Sequence, residues 1–375
     1  MARNRAGFFP TAATSYWELY FLRVLRGSAC SLCRHARHNA CVRSFAAGVG
    51  FTDLKPSAQA TIAPASEESI ARAAAILRQG GLVALPTETV YGLGADAGND
   101  RAVAAIFAAK TRPRFNPLIV HVHDVNRART LATFTAQSQA LAEAFWPGPL
   151  TLVLPRRMGA HVSLLASAGL DTIALRIPAH PVARRLLEES ALAIAAPSAN
   201  RSGTTSPTTA AHVAESLGAA VDLILDGGAA PLGIESTIVG FDERGAVHLR
   251  RGALPRERIE AVVGRLHEPA NDAVTSPGRL KSHYAPTTPL RLDACDAGSD
   301  EALLAFGLAV PGEARLTRNL SVSGDLGEAA ANFFAMLREL DAADCARIAV
   351  MPIPERDLGE ALNDRLRRAA APREG

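Results

Sequence analysis

Residues 66–85, with the sequence SEESIARAAAILRQGGLVAL, place a helix and a strand next to each other in the chain. Ser66 before two glutamates is a typical helix start, and apolar residues from Ile70 to Leu77 then recur on one helical face. A glycine pair ends the helix. The run Leu82–Leu85 follows at once and is predicted to be a short buried strand. This stretch therefore indicates an α/β unit.

The same alternation of helix and strand continues through most of the chain. A helix is predicted from Asn99 to Lys110 and a strand over Leu118–Val122. Further strands are predicted at residues 151–154, 172–177, 191–195, 223–225, 237–241 and 247–250, and further helices at 124–145 in pieces, 180–189, 208–217 and 255–263. Intermingled helices and strands predict an α/β layer structure around one large sheet. The spacing leaves open whether that sheet is parallel or mixed.

The alternation stops between residues 267 and 288, where prolines and glycines mark a linker. Beyond the linker, strands are predicted at 290–292 and 347–351, and helices at 325–340 and 357–370. We therefore expect a first domain at 61–266, a linker at 267–288 and a smaller C-terminal α/β domain of Rossmann-like type at 289–375.

The formal net charge of +3 arises from 40 basic and 37 acidic residues, and only three of the basic residues are lysines, Lys55, Lys110 and Lys281. Such a balance argues against a highly basic nucleic-acid coat and against an acidic disordered protein. No run of about 18 apolar residues is free of charge, so no transmembrane helix and no membrane partner are predicted. Five scattered cysteines do not form the pattern of a disulfide framework, so a reducing cytoplasm is the expected location.

Residues 1–60 differ from the rest of the chain in charge. They contain eight basic and two acidic residues, a net charge of +6, so the remaining residues carry −3. We interpret this basic extension as a disordered tail or as the product of a start codon assigned too early, since no secretory pattern follows its arginines. Within it, Cys30, Cys33, His38 and Cys41 could offer zinc three thiolates and an imidazole. Their last spacing is short, and no metal site is predicted.

The chemistry is expected in the long loops at strand ends, where α/β proteins place their sites. The loop after Leu85 contains Gly92–Ala97, which fits the pattern G-x-G-x-x-A. A dinucleotide-binding motif should follow its strand directly and open a helix. Here the helix begins too late, so a Rossmann nucleotide site is disfavoured. The chain has no G-x-x-x-x-G-K-[ST] sequence, which excludes an ordinary phosphate-binding P-loop.

Three cations, Lys110, Arg112 and Arg114, lie within five residues at the end of a predicted helix. They must repel one another unless water screens them or an anion such as a polyphosphate lies among them. Lys110 alone could serve only the helix dipole. Arg176 lies in an apolar strand and needs a partner, which could be a bound carboxylate or an acid of the protein itself. His121 also lies in a strand and could be packed in the core.

Six short motifs, taken together and in this order, resemble one family. They are Pro86–Gly94, Lys110-x-Arg112-Pro113, Asn116–Leu118, Trp146–Pro149, Ala195–Asn200 and Glu235–Ile238. The combination, nearly continuous over residues 66–266, is similar to the YrdC-like L-threonylcarbamoyl-AMP synthases. The segment Ser276–Pro286 is similar to the linker in their long, two-domain form, except that Arg279 stands where that linker usually has methionine. The resemblance implies a YrdC-like twisted sheet with helices around a concave groove.

The resemblance implies a nucleotidyltransferase that forms threonylcarbamoyl-AMP and pyrophosphate from L-threonine, bicarbonate and ATP. The threonine amine would capture bicarbonate or CO2 as a carbamate, whose oxygen would attack the α-phosphorus of ATP. Because two anions must meet, the site is expected to supply positive charge and fixed geometry. Mg2+ would help, coordinated mainly by the triphosphate, since no cluster of carboxylates is visible. The product would feed N6-threonylcarbamoyladenosine formation in tRNA, which makes tRNA or a downstream threonylcarbamoyl transferase a partner.

Site residues are implied by their positions in the matching motifs. Catalysis would involve Lys110, Arg112, Ser198 and Asn200. ATP would be held by Arg112, Asn116, Thr172, Ser198, Ser206, Arg250 and Tyr284. Threonine would be held by Thr89, His121, Arg176, Ala196 and Ser236, with its carboxylate on Arg176. Tyr284, in the linker, would reach over the nucleotide as part of a lid that keeps water from the adenylate.

Two alternatives stay open at this point. One is a non-catalytic module that binds double-stranded RNA or tRNA, although the net charge of −3 outside residues 1–60 disfavours broad phosphate binding. The other is a related YrdC-like enzyme of carbamoyl transfer. The linker with Tyr284 favours the two-domain threonine enzyme over this second alternative.

Overall fold

Two β-sheets organise the part of the chain that can be described. The computed structural model describes residues 60–269 and 283–372, all within one compact unit, Ser57–Gly375. The cysteine–histidine group of the basic extension lies outside the described residues, and so does most of the linker segment that resembles the two-domain enzymes. We call residues 62–263, which contain a ten-stranded sheet, the large-sheet region, and residues 290–370, which contain a four-stranded sheet, the small-sheet region.

The large sheet is mixed, which answers the question that the sequence left open. Its strands are β1 (Ile62–Pro64), β2 (Val83–Leu85), β3 (Gly92–Asp96), β4 (Ile119–His121), β5 (Leu150–Pro155), β6 (Thr172–Arg176), β7 (Ile194–Ala195), β8 (Leu223–Asp226), β9 (Thr237–Asp242) and β10 (Gly245–Arg250). Their order across the sheet is β1-β8-β2-β3-β7-β4-β6-β5-β9-β10. Strand β6 pairs in parallel with β4 on one side and antiparallel with β5 on the other.

In the described part of the chain, seven helices flank this sheet, and six of them begin at a polar capping residue. They are α1 (Glu67–Arg78), α2 (Asp100–Lys110), α3 (Val125–Leu131), α4 (Ala136–Phe145), α5 (Pro181–Ser190), α6 (Ala210–Leu217) and α7 (Arg256–Val263). The hydroxyl of Ser66 accepts a backbone N–H at the start of α1, and Asn99 does the same for α2, which satisfies amides that have no partner inside the helix. Leu77 of α1 and Leu186 of α5 are fully buried in one apolar cluster beside the sheet.

Strand β3 corrects the sequence-based assignment of Gly92–Asp96 to a loop. Glycine weakens a strand prediction because it adds no side chain to pack. In the structure, β3 pairs antiparallel with β2, and Gly94 lies opposite Val83. A Cβ on Gly94 would lie only 2.9 Å from Cδ2 of Leu85. Glycine therefore permits the close packing here, and residues 86–91 become the connection of a hairpin.

The small-sheet region has a parallel sheet with helices. Its strands are β11 (Leu290–Arg291), β12 (Glu301–Ala305), β13 (Leu316–Asn319) and β14 (Arg347–Val350), in the order β11-β14-β12-β13, and its helices are α8 (Leu326–Asp341) and α9 (Leu358–Ala370). Strands β12 and β13 were missing from the sequence prediction. The predicted α/β class with a smaller second α/β part is confirmed. Among the described residues, no helix is long and apolar enough to cross a membrane.

A buried apolar cluster joins the two regions. Val90 and Ile234 of the large-sheet region pack in the same cluster as Phe334 of α8. Gly233 has a φ of +68°, and a Cβ there would lie 2.2 Å from the carbonyl oxygen of Ala330 in α8. Only glycine combines a left-handed backbone with so close an approach. The small-sheet region therefore packs on the two motifs that contain Val90 and Ile234.

Candidate active site

A cavity opens between the hairpin connection 86–91, the segment after β7 and the chain around Tyr284. Nine of the predicted site residues line it: Thr89, Arg112, His121, Arg176, Ala196, Ser198, Ser236, Arg250 and Tyr284. Glu235 and His283, which the sequence did not assign, also line it. The other five predicted residues, Lys110, Asn116, Thr172, Asn200 and Ser206, are not on the wall.

The Arg176 cluster consists of Glu88, Thr89, His121 and Arg176. Arg176 Nη2 lies 2.6 Å from Glu88 Oε1, and Nη1 donates to Thr89 Oγ1 at 2.9 Å. The other carboxylate oxygen of Glu88 accepts the backbone N–H groups of residues 179 and 180, just before α5. The partner of Arg176 is thus the protein's own acid. The guanidinium has five N–H groups and lines the cavity, so it can also meet a substrate carboxylate.

The charge of Arg176 keeps Glu88 ionised. Burial alone would raise the pKa of Glu88, but the charge of Arg176 and its hydrogen bond outweigh burial and lower that pKa. The side chains of Glu88 and Arg176 are both more than nine-tenths buried. An ion pair in such a place is held rigidly, because neither partner can leave without exposing an unpaired buried charge.

His121 lies opposite Arg176 in the register of β4 with β6. Its side chain is buried, and Nδ1 has no hydrogen-bond partner within the described ranges 60–269 and 283–372. Burial, followed by the charge of Arg176, lowers the pKa of His121 to about 3. The imidazole is therefore neutral at neutral pH, and Nδ1 can make one hydrogen bond to a ligand in the cavity.

The Arg250 cluster consists of Arg112, Ser236, Arg250, His283 and Tyr284. Arg250 ends β10 and donates Nε and Nη2 to the carbonyl oxygen of Ser236 at 3.1 and 2.8 Å. The hydroxyl of Ser236 lies 2.8 Å from Thr151 Oγ1. Burial lowers the pKa of Arg250 from its ordinary value. These bonds fix Arg250 against the cavity wall.

Arg112 folds back on its own loop. Its Nε donates to the carbonyl oxygen of Asn116 at 3.2 Å, and its Nη2 donates to that of Pro117 at 2.9 Å. Burial lowers the pKa of Arg112 to about 10; Tyr284 acts against this change, and the charge of Arg250 adds to it. Two arginines on one buried wall favour an anion between them.

His283 and Tyr284 complete the cavity from the chain before β11. Burial, followed by the charges of Arg112 and Lys110, lowers the pKa of His283 well below its usual range. Tyr284 has a φ of 65°, which is uncommon for a residue other than glycine. Its ring is 2% exposed and lies 5.7 Å from the ring of Phe334 in α8. Tyr284 is therefore packed between the cavity and the small-sheet region.

Lys110 lies directly behind the wall. Its Nζ donates to the carbonyl oxygen of Ser198 at 2.5 Å and to that of Asn200, and the residue is 1% exposed. Burial, followed by the charge of Arg112, lowers the pKa of Lys110 well below its usual range. Lys110 ends α2, so it attaches the segment 198–200 to that helix. The structure thus places Lys110 and Asn200 as supports of Ser198, which does line the cavity.

Three predicted ATP-binding residues lie elsewhere. Asn116 is fully buried, and its amide has no partner within the described part of the chain. Ser206 donates its hydroxyl to Glu235 Oε1. Thr172 begins the five-residue strand β6, so it lies roughly 13 Å from Arg176 at the other end. Thr172 and Ser206 are not among the residues that line the cavity, and Ser206 reaches only the back of Glu235.

Glu235 is held on both sides. Ser206 donates to Oε1, and Nε of Arg365 in α9 lies 2.8 Å from Oε2. Burial alone would raise the pKa of Glu235, but Arg365 and then Arg250 lower it. Since both carboxylate oxygens have partners, the described wall residues do not form a carboxylate site for Mg2+.

The chain is similar to known proteins over most of its length. A family model described as "Telomere recombination" matches residues 75–252, and one described as "Threonylcarbamoyl-AMP synthase, C-terminal domain" matches residues 254–371. A threonylcarbamoyl-AMP synthase of Pyrococcus abyssi is 40% identical over 323 residues, which cover 81% of this chain and 94% of the relative. The chain belongs to the threonylcarbamoyl-AMP synthase family.

A second threonylcarbamoyl-AMP synthase, from Bacillus subtilis, is 40% identical over 331 residues, which cover 82% of this chain and 94% of the relative. The crystal structure of P. abyssi Sua5 complexed with L-threonine matches with a TM-score of 0.76 and 37% identity, covering 83% of this chain and 97% of that one. The family and the fold that the sequence motifs implied are confirmed.

In this member of the threonylcarbamoyl-AMP synthase family, sequence reasoning missed two titratable residues that line the cavity, Glu235 and His283, and two that hold lining residues from behind, Glu88 and Arg365. Glu88 and Glu235 lie inside the recognised motifs Pro86–Gly94 and Glu235–Ile238, and the available signal was that a buried arginine such as Arg176 needs an acidic partner. His283 directly precedes Tyr284. Arg365 lies 130 residues from Glu235, and no local pattern connects the two.

Proposed function

We propose that this chain transfers the adenylyl group of ATP to N-carboxylated L-threonine, forming threonylcarbamoyl-AMP and releasing pyrophosphate. The observation that carries the proposal is the presence of two arginine clusters on one buried cavity. The Arg176 cluster suits an amino-acid carboxylate, and the Arg250 cluster suits phosphate groups. The structure of the P. abyssi relative with L-threonine supports the choice of amino acid.

Threonine binds at the Arg176 cluster. Glu88 fixes one side of the guanidinium, which leaves the cavity side of Arg176 for the substrate carboxylate. Thr89 and the neutral His121 provide polar atoms beside it. A neutral imidazole has one ring nitrogen that can accept a hydrogen bond from the substrate, which an imidazolium does not have.

The reaction then proceeds in two steps. The free amine of threonine adds to the carbon of bicarbonate, and water leaves to give N-carboxythreonine. A carbamate oxygen attacks the α-phosphorus of ATP, the bond from that phosphorus to the bridging oxygen breaks, and pyrophosphate leaves. Both reactants of the second step are anions, so preset positive charge and orientation lower its barrier.

Arg112 and Arg250 supply that charge. Both are buried and bonded to backbone carbonyl oxygens, so their positions are set before the nucleotide arrives. Ser198 contacts the reactants from the cavity wall, and Lys110 holds the segment 198–200 in place through two backbone carbonyl oxygens. Mg2+ would be bound mainly by the triphosphate, because the described wall residues offer no open carboxylate.

Pyrophosphate release tests the proposal. The full chain with ATP and bicarbonate should release pyrophosphate only when L-threonine is added. Lys110→Ala and Arg112→Ala should abolish the release while the protein stays folded in a thermal melt. Arg101→Ala is the matched control, since Arg101 is an exposed residue of the same helix as Lys110. Binding of double-stranded RNA without threonine-dependent release would contradict the proposal and favour a binding module.

Further parts of the proposal concern the surroundings of the reaction. The labile product requires a downstream threonylcarbamoyl transferase acting on tRNA as the partner. The domain division 61–266, 267–288 and 289–375 stays a proposal, supported by the end of the large sheet at Arg250 and the start of the small sheet at Leu290. A cytosolic location rests on the scattered cysteines of the sequence.

A further inference from the structure

Arg365, a fully buried arginine of the small-sheet region, reaches the back of the cavity wall. Its Nε lies 2.8 Å from Glu235 Oε2, and its Cζ lies 5.3 Å from the centre of the Tyr284 ring. Its Nη1 donates to the carbonyl oxygens of Arg251 and Ala361. The guanidinium therefore touches two wall residues that come from different parts of the chain.

Docking of the two regions does not by itself require this arginine. The apolar cluster with Val90, Ile234 and Phe334 already joins them. A buried ion pair contributes little net stability compared with apolar side chains of the same size, because both ions lose their hydration. Arg365 instead sets the orientation of its neighbours, because its planar group fixes a carboxylate along one edge and an aromatic ring on its face.

Two contacts of Arg365, those with Glu235 and Tyr284, lead to the side of the cavity proposed for ATP. Glu235 also holds Ser206, and it directly precedes Ser236, whose carbonyl oxygen accepts the bonds of Arg250. Tyr284 belongs to the Arg250 cluster itself. The Arg176 cluster, in contrast, is held by Glu88 within the large-sheet region.

We propose that Arg365 is a positioning residue for the nucleotide, which holds Glu235 and Tyr284 in the arrangement that binds ATP. The Arg250 cluster is then complete only when α9 of the small-sheet region is in place. This inference rests on the proposed synthase function.

The test separates the two Michaelis constants. Wild-type protein must first show threonine-dependent pyrophosphate release, and its absence would defeat the proposed function whatever the role of Arg365. With that activity measured, Arg365→Met should raise the KM for ATP roughly tenfold or more, because a charge-assisted contact is lost. The KM for threonine should stay within about twofold, since the Arg176 cluster is held independently. Arg365→Lys should recover part of the ATP affinity, because it keeps the charge without the planar group.

A matched control removes a different arginine between the same regions. Arg251 pairs with Glu360 of α9 but touches neither Glu235 nor Tyr284 through its side chain. Arg251→Ala should leave both KM values unchanged. An equal rise of both constants in Arg365→Met, or an unchanged KM for ATP, would overturn the proposal.

A second variant covers the case in which Arg365→Met does not fold because Glu235 is left buried and unpaired. The double variant Arg365→Met with Glu235→Gln removes both charges and keeps an acceptor for Ser206. Its KM for ATP should still be raised, because the Tyr284 ring has lost its support. A KM for ATP equal to that of the wild type would contradict the positioning role. Calorimetric titration with a non-hydrolysable ATP analogue gives the same comparison without turnover.

Discussion

The Arg176 and Arg250 clusters face the same cavity, but they are held in place in different ways. Arg176 is fixed inside the large-sheet region by Glu88, with His121 opposite it on the neighbouring strand. The Arg250 cluster includes Tyr284, whose ring packs on α8 and on Arg365 of α9. A carboxylate site can thus be built from adjacent strands, whereas the proposed nucleotide side needs parts of the chain that are far apart in sequence.

Removal of Glu88 should have the largest effect on the protein, because Glu88 holds the Arg176 cluster in place. Glu88→Ala leaves Arg176 buried without its partner, which typically costs about 3–5 kcal/mol of unfolding free energy. Urea unfolding would measure the loss. Glu189→Ala is the control, because Glu189 forms only partly exposed ion pairs on α5. A loss below about 1 kcal/mol for Glu88→Ala would mean that the Arg176 cluster is not held by this pair.

The neutral His121 predicts a pH dependence of stability in the same cluster. Its pKa of about 3 in the folded state is below the ordinary value of 6.5, so the unfolded chain binds more protons as the pH falls. Stability should therefore fall from about pH 6.5 toward pH 3, by about 1.4 kcal/mol per pH unit from this group. His121→Gln should remove that part of the slope. Unfolding in urea at pH 6.5, 5.5 and 4.5 would measure it, and a slope equal to that of the wild type would refute the assignment.

Arg176→Lys compares the two clusters by their effect on substrate binding. The lysine keeps a charge beside Glu88 but loses the planar fork that binds a carboxylate in two places. We expect the KM for threonine to rise roughly tenfold, with the KM for ATP unchanged, which is the reverse of the pattern expected for Arg365. Steady-state pyrophosphate release at varied threonine would show this, and an unchanged KM for threonine would contradict the binding role of Arg176.

The smallest effect is expected for the exposed contacts between the two regions. Arg251 is about one-third exposed and pairs with Glu268 and Glu360. Such surface pairs contribute about 0–1 kcal/mol, so Arg251→Ala should change the midpoint of thermal unfolding only slightly. A large drop would indicate that surface charges, rather than the buried cluster, hold the regions together.

The sequence assigned three of the four residues of the Arg176 cluster and four of the five residues of the Arg250 cluster, but it missed the side chains that hold the clusters in place. His121 and Arg176 lie in strands whose apolar pattern is visible locally, and Thr89 lies in a recognisable motif. The partner of Arg176 was left open between a ligand and the protein's own acid, since chain order does not reveal which acid folds onto it. Arg365 was not predicted at all, because only the packing of α9 brings it to Glu235.

The fold, too, could be predicted from the sequence only in part. The alternation of helices and strands was sufficient for the α/β class, while β3 was missed because its glycines have low strand propensity. Whether the large sheet is mixed depends on pairings such as β3 with β7, which join distant segments. Thr172 was assigned to the ATP site by its motif position; it begins β6, at the other end from Arg176, and its role stays a prediction.

Gly233 sets a rule for chimeric enzymes assembled from different relatives. Its backbone is left-handed, and α8 is so close that a Cβ would lie 2.2 Å from the carbonyl oxygen of Ala330. A small-sheet region taken from another protein can dock only on a recipient that has glycine at this position, or else its helix must be shifted outward. Such a shift would also move Arg365. Whether two exchanged regions are compatible therefore depends on glycine at position 233, where any other residue would add a Cβ.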